Sequence, residues 1–171
     1  MRLSMRNIPR WLIPALVLSA FGAAVSGGES QEEVGARVGK MIAEAKSRVG
    51  SITVADLQGM IDSGQAFTLL DVRTGDEYEQ GHIGHARWMP RGMLELDAAI
   101  GKVGGTGDHL IVYCRKDGRA ALAAKTLTEL GFDNVKYLEG GFEAWVKAGK
   151  SIYNRHGELI VKAFEQPESE E

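Results

Sequence analysis

Short apolar runs alternating with amphipathic stretches predict an α/β fold built on a mostly parallel sheet with helices on its faces. Three runs, Phe67 to Val72, Leu110 to Tyr113 and Val135 to Leu138, contain β-branched or aromatic residues and end in polar or glycine-rich turns, as buried strands do. Helical spacing fills the intervals, most clearly from Ala120 through Ala123 and Leu127 to Leu130. The 171 residues, 44% hydrophobic and 25% charged, suffice for one compact domain with appendages.

Taken in order, residues 1 to 10 carry Arg2, Arg6 and Arg10 without an acid, and Trp11 to Ala24 follow without a charge. This is the layout of a secretory signal peptide over residues 1–26, with cleavage near 24–26, so the expected destination is periplasmic or secreted. The alternative is an N-terminal membrane anchor. Fourteen helical residues reach only about 21 Å against a hydrocarbon core of about 30 Å, and Pro14 interrupts them, which favours cleavage and no stable insertion afterwards. Neither twin arginines nor a lipoprotein cysteine is present at that end.

Residues 27–51 form an expected helical extension. Val34, Val38, Met41, Ile42, Ala45 and Val49 recur at helical spacing, a stripe expected to cover the sheet. The main domain is expected over residues 52–150. It opens with Thr53 and Asp56, a capping pair for a short helix through Leu57 and Ile61 that stops near Ser63-Gly64. The four glycines between Gly101 and Gly107 mark a turn before the Leu110 run, and Gly131 ends the helix begun at Ala120. Residues 151–171 form a C-terminal extension with an acidic tail.

Charge and cysteine content narrow the function. The formal net charge is −3, and residues 29 to 171 keep 17 basic groups against 23 acidic ones, a net of −6, which argues against a nucleic-acid partner. Cys114 is the single cysteine, so there is no intrachain disulfide and no zinc site needing two thiolates. His82 and His85 lack a third ligand at suitable spacing, and no metal site is expected.

Cys114 stands where the Leu110 run ends, followed by Arg115, Lys116, Asp117, Gly118 and Arg119 before the helical pattern resumes. Backbone N–H groups of a tight loop entering a helix converge on one point and stabilise an anion there. Nearby cations favour a thiolate, the nucleophilic form of cysteine. Arg115, Lys116 and Arg119 would concentrate attraction for a small dianion at this sulfur. A buried structural cysteine beside a surface charge cluster is the competing reading, and the strand, loop and helix context disfavours it.

Three motifs in order then resemble the single-domain rhodaneses, the thiosulfate sulfurtransferase-like family, here in an exported form: Asp71-Val72-Arg73 with Glu77-Tyr78 and Gly81-His82-Ile83, then Cys114 to Arg119, then Gly140-Gly141-Phe142 with Ala144-Trp145. The resemblance spans roughly Ile52 to Lys150. It implies a rhodanese-like α/β fold with a mostly parallel five-stranded sheet and helices on both faces. It also implies a catalytic Cys114 that takes sulfane sulfur from thiosulfate or a related donor as a persulfide and passes it to cyanide or a thiol. Arg115, Lys116, Asp117, Gly118 and Arg119 would surround the substrate, while Asp71, Arg73 and His82 would support the structure. No metal or organic cofactor is implied, and the expected partners are small molecules met by a monomer.

Two departures stand out. Gly84-His85 replaces the family's proline and glycine after Gly-His-Ile, and Asp117 stands where many members have glycine. A carboxylate three residues from Cys114 opposes the local positive field. Two other functions compete. A non-catalytic rhodanese module would usually lack the cysteine, and phosphatases or arsenate reductases of this fold have a loop one residue longer between Cys and Arg than the four positions here.

Overall fold

The computed structural model describes residues 30–160. The expected signal segment and the acidic tail lie outside the described residues.

Helix α1 (Gln31–Arg48) begins at Ser30, whose hydroxyl accepts from the Glu33 N–H while the Glu33 carboxylate accepts from the Ser30 N–H, a complete capping box. Strand β1 (Gly50–Ile52) follows, then α2 (Val54–Asp62), capped by Thr53 as its spacing with Asp56 predicts. Next come β2 (Thr68–Asp71), α3 (Gly75–Gln80), the two-residue strands β3 (His82–Ile83) and β4 (Arg87–Trp88), a 3-10 turn at Arg91–Met93 and α4 (Leu94–Ala99). The chain continues through β5 (Leu110–Tyr113), α5 (Gly118–Glu129), β6 (Val135–Leu138), α6 (Gly141–Lys147), β7 (Ser151–Asn154) and β8 (Gly157–Ile160).

Five strands form one sheet in the order β1-β6-β5-β2-β4, and every neighbouring pair is parallel. Alternate side chains of β5 serve two cores, as a strand buried on both faces requires. Leu110 and Val112 pack with Ala45 of α1, Leu94 of α4 and the Ala120–Leu127 face of α5. Ile111 and Tyr113 pack with Leu57 of α2 and Trp145 of α6. Helices thus cover both faces of the sheet. Each fully buried leucine removes enough apolar surface from water to favour folding by about 1.5–3 kcal/mol.

The extended stripe of α1 behaves differently from expectation. Ala45 is fully buried, but Val34, Val38 and Met41 are 42%, 47% and 57% exposed. Only the C-terminal part of the helix therefore lies on the domain, where it packs on α5; the preceding turns project past it. The second difference lies beyond Lys150. Residues 151 to 160 fold as an antiparallel hairpin, β7 and β8, and β7 pairs with β3 in a separate three-stranded sheet. Ile152 of that hairpin is buried beside Ile83.

The Gly84-His85 departure is accommodated here. His85 takes the left-handed conformation (φ 61°), and a Cβ at Gly84 would lie 2.7 Å from the Tyr153 ring. The glycine makes room for an aromatic ring from β7.

Candidate active site

Cys114 follows directly on β5, the middle strand of the sheet, at the carboxyl edge where parallel α/β sheets gather ligands. Its side chain is buried. Helix α5 begins at Gly118, two residues earlier than the Ala120 periodicity indicates, because Gly118 and Arg119 have no apolar signal of their own. The loop is therefore three residues long, Arg115 to Asp117, and tight.

Helix α6 shapes that loop from outside. The Phe142 N–H donates to the Cys114 carbonyl at 2.8 Å and the Glu143 N–H to the Arg115 carbonyl at 2.9 Å. Because a trans peptide sets its N–H opposite its C=O, the N–H groups of Arg115 and Lys116 point away from α6. Gly141 makes this contact possible. Its φ is +58°, and a Cβ there would fall onto the Lys116 carbonyl oxygen.

Each charged residue of the loop region but one has an ionic partner. Arg119 donates two hydrogen bonds of 2.7 Å to the two oxygens of Glu77, which also receives the Thr74 N–H at the start of α3. The Arg119 guanidinium, with the Thr74 contacts, holds the Glu77 carboxyl at about 2, far below its ordinary value. Arg115 pairs with Glu143 of α6 at 2.6 Å. Asp117 leaves the α5 terminus uncapped and instead meets Lys46 of α1 at 2.7 Å. Lys116 is exposed and has no ion pair among the described residues. Four cations thus face three carboxylates. The charges of Arg119 and Lys46 both act on the Cys114 sulfur.

Asp71 and Arg73 are buried together. The carboxylate accepts from the Arg73 backbone N–H, Nε and a terminal nitrogen, the last at 2.7 Å, and the guanidinium also donates to the Gly81 carbonyl. The Phe142 ring lies 4.0 Å from the guanidinium carbon, in cation–π contact. Burial beside Asp71 pushes the Tyr113 hydroxyl well above its usual range, and that hydroxyl receives the Ile83 N–H. His82 stacks on Tyr78 with ring centres 3.9 Å apart, and its Nδ1 lies 3.2 Å from the Tyr78 carbonyl. Trp145 is buried and donates to the Ser151 carbonyl, tying α6 to β7.

A cavity of about 670 Å³ adjoins the loop. Arg115 and Glu143, with Phe142 and Val146, form part of its lining, and Glu77 and Gly81 another part. Among the described residues no group of three or more His, Cys, Asp or Glu could hold a metal ion, and no helix is long and apolar enough to cross a membrane.

The structure thus brings Cys114 and the residues from Arg115 to Arg119 into one loop, and sets Asp71 and Arg73 beneath it as a buried pair. His82 stands apart, on β3. Sequence reasoning passed over Lys46 and Glu143 entirely, and quoted Glu77 and Gly141 only as motif letters. Asp117 was the available signal for Lys46, since an acid beside an anion site calls for a cation, but three basic residues in the second half of α1 compete for that role.

Comparison with known proteins agrees with this arrangement. The rhodanese-like domain family matches residues 53–148. The chain is 32% identical over 127 residues to rhodanese-like domain-containing protein 17 of Arabidopsis thaliana, covering 67% of this chain and 80% of that one. It is 34% identical over 114 residues to the chloroplastic thiosulfate sulfurtransferase 16 of the same plant, covering 61% of this chain and 93% of the relative. Among solved structures, a protein of unknown function from Rhodopseudomonas palustris, described as a possible tyrosine phosphatase, superposes with a TM-score of 0.59 at 28% identity, covering 77% of this chain and 98% of that one. A parallel sheet with a cysteine loop at its carboxyl edge, three motifs in order and a family match across more than half the chain place this protein in the rhodanese-like domain family, among relatives named as sulfurtransferases.

Proposed function

We propose that Cys114 transfers sulfane sulfur from thiosulfate or a closely related donor to cyanide or, more naturally, a thiol. One observation carries this reading: the carbonyls of Cys114 and Arg115 are tied outward to α6, which leaves the opposite N–H groups for an anion at the sulfur. In the first step the Cys114 thiolate attacks the outer sulfur of thiosulfate. The sulfur–sulfur bond of the donor breaks, sulfite departs with the bonding pair, and a Cys114 persulfide remains. In the second step the acceptor attacks the terminal persulfide sulfur, and the Cys114 thiolate leaves with its electron pair.

Lys116, exposed and without an ionic partner among the described residues, attracts the sulfonate end of the donor. Arg119, fixed by Glu77, steadies the charge on sulfur, and Gly118 permits the close helix start. Arg115, held by Glu143, and Asp117, neutralised by Lys46, shape the walls. Asp71, Arg73 and His82 act through the scaffold.

Thiosulfate treatment of the purified protein and of Cys114→Ser, followed by sulfite release and intact mass, tests this reading. A gain of about 32 Da on the cysteine protein alone supports it. No gain from thiosulfate or mercaptopyruvate rejects it, and turnover of a phosphate ester would then favour the phosphatase reading. That reading is disfavoured because both terminal nitrogens of Arg119 are taken up by Glu77. The non-catalytic reading is disfavoured by Cys114 itself.

The same proposal includes export: Arg2, Arg6 and Arg10 ahead of an uncharged run support a cleaved signal peptide and a periplasmic or secreted product. N-terminal sequencing of the secreted form checks it, and an uncleaved, membrane-bound chain would reject it.

A further inference from the structure

Helix α1 lies outside the family-matched residues 53–148, yet it reaches the reactive loop. Ile42 packs so tightly over Gly118 that a Cβ there would lie 3.0 Å from the Ile42 Cδ1. One turn further on, the Lys46 ammonium sits 2.7 Å from the Asp117 carboxylate and 5.8 Å over the Tyr137 ring. Arg115 and Arg119 find their partners, Glu143 and Glu77, within the matched domain. Asp117 is served from outside it.

Asp117 is also the one acidic residue between Cys114 and Arg119. An unpaired carboxylate three residues after Cys114 would repel a second negative charge at the sulfur. Lys46 cancels that repulsion, and its own charge acts on the sulfur. Asp117 and Lys46 therefore belong together as a compensated pair, one in the loop and one on α1.

We propose that Lys46 is a positioning residue of the active loop: α1 carries it onto Asp117, where it fixes the start of α5 and restores the positive field at Cys114. The proposal rests on the sulfur-transfer reading only in its kinetic arm. The other charges facing Cys114, Arg119 with its partner Glu77 and the loop cations Arg115 and Lys116, are the same in every variant below.

The test uses the full chain and the variants Lys46→Met, Lys46→Arg, Asp117→Gly and the Lys46→Met/Asp117→Gly double. Three quantities are read: the rate of Cys114 alkylation by iodoacetamide against pH, the urea midpoint, and sulfite release from thiosulfate. Lys46→Met is expected to move the alkylation profile to higher pH and to slow alkylation at neutral pH by about three- to tenfold. Lys46→Arg restores the profile, and the double variant lies nearer the parent than Lys46→Met does. Asp117→Gly, which removes the carboxylate and leaves Lys46 without that partner, moves the profile to lower pH, and this arm stands even if Lys46→Met fails to fold.

A profile unmoved in Lys46→Met, a profile unmoved or raised in Asp117→Gly, or a double variant no nearer the parent than Lys46→Met would overturn the proposal. Absence of sulfite release from the parent would reject sulfur transfer from thiosulfate while leaving the alkylation result to judge Lys46.

Discussion

The two terminal nitrogens of Arg119 each hold one oxygen of Glu77 at 2.7 Å, joining the first turn of α5 to the first turn of α3 across 42 residues of sequence. Because this pairing depresses the Glu77 carboxyl from 4.5 to about 2, its stabilisation is fully present above the ordinary value and is lost as pH falls through about 2. Glu77→Gln is therefore expected to destabilise the protein at neutral pH, with the difference from the parent shrinking between pH 4.5 and 2. Urea unfolding across that interval measures it; a difference independent of pH would disprove the linkage.

The Asp71–Arg73 pair is buried, with side-chain exposures of 0% and 4%. Arg73→Ala would leave a carboxylate without its counter-charge inside the domain, at an expected cost of about 3–5 kcal/mol. Denaturant melts would show it. A loss under about 1 kcal/mol would mean that water reaches Asp71 once the guanidinium is gone.

Gly141→Ala is expected to displace the loop, because the new methyl group meets the Lys116 carbonyl and the φ of +58° disfavours any side chain. The combined strain is of the order of 1–3 kcal/mol, and sulfite release should fall at least about tenfold. Comparable turnover in the variant would mean that α6 does not shape the loop in solution.

Lys116→Ala should raise the thiosulfate KM by about three- to tenfold and flatten its dependence on ionic strength, since the cation is exposed and has no ion pair among the described residues. Arg115→Ala should do less, because Glu143 already offsets Arg115. Steady-state kinetics at low and high salt decide the order. Equal effects at both positions would contradict it.

The centre of this fold was legible because its signals are local. The β5 run, Cys114 and three nearby cations lie within ten residues, and the apolar faces of β5 and α5 have the periods expected of a buried strand and an amphipathic helix. Strands β3 and β4 are two residues each, too short to display any period, and each exists through its neighbour: Arg87 and Trp88 through β2, His82 and Ile83 through β7. The hairpin beyond Lys150 escaped attention because Tyr153 and Ile152 acquire their partners from residues some 70 positions earlier. The loop charges were visible, but not their pairing. In sequence Arg115 stands open to substrate and Asp117 opposes the local positive field; in the fold α6 places Glu143 beside the first and α1 places Lys46 beside the second. Ion pairs between distant segments depend on docking geometry, which no local pattern encodes.

The hydrogen bonds from Phe142 and Glu143 to the loop carbonyls have a consequence for biosynthesis. During synthesis, Cys114 emerges well before residues 141 to 143. In that interval its loop has neither the amides that turn it nor the glycine that lets them approach. The loop reaches its folded shape only when α6 docks, so the surroundings of the sulfur depend on residues synthesised after it. The setting of Cys114 is thus coupled to completion of the fold, because the residues that turn its loop are the last part of the site to be made.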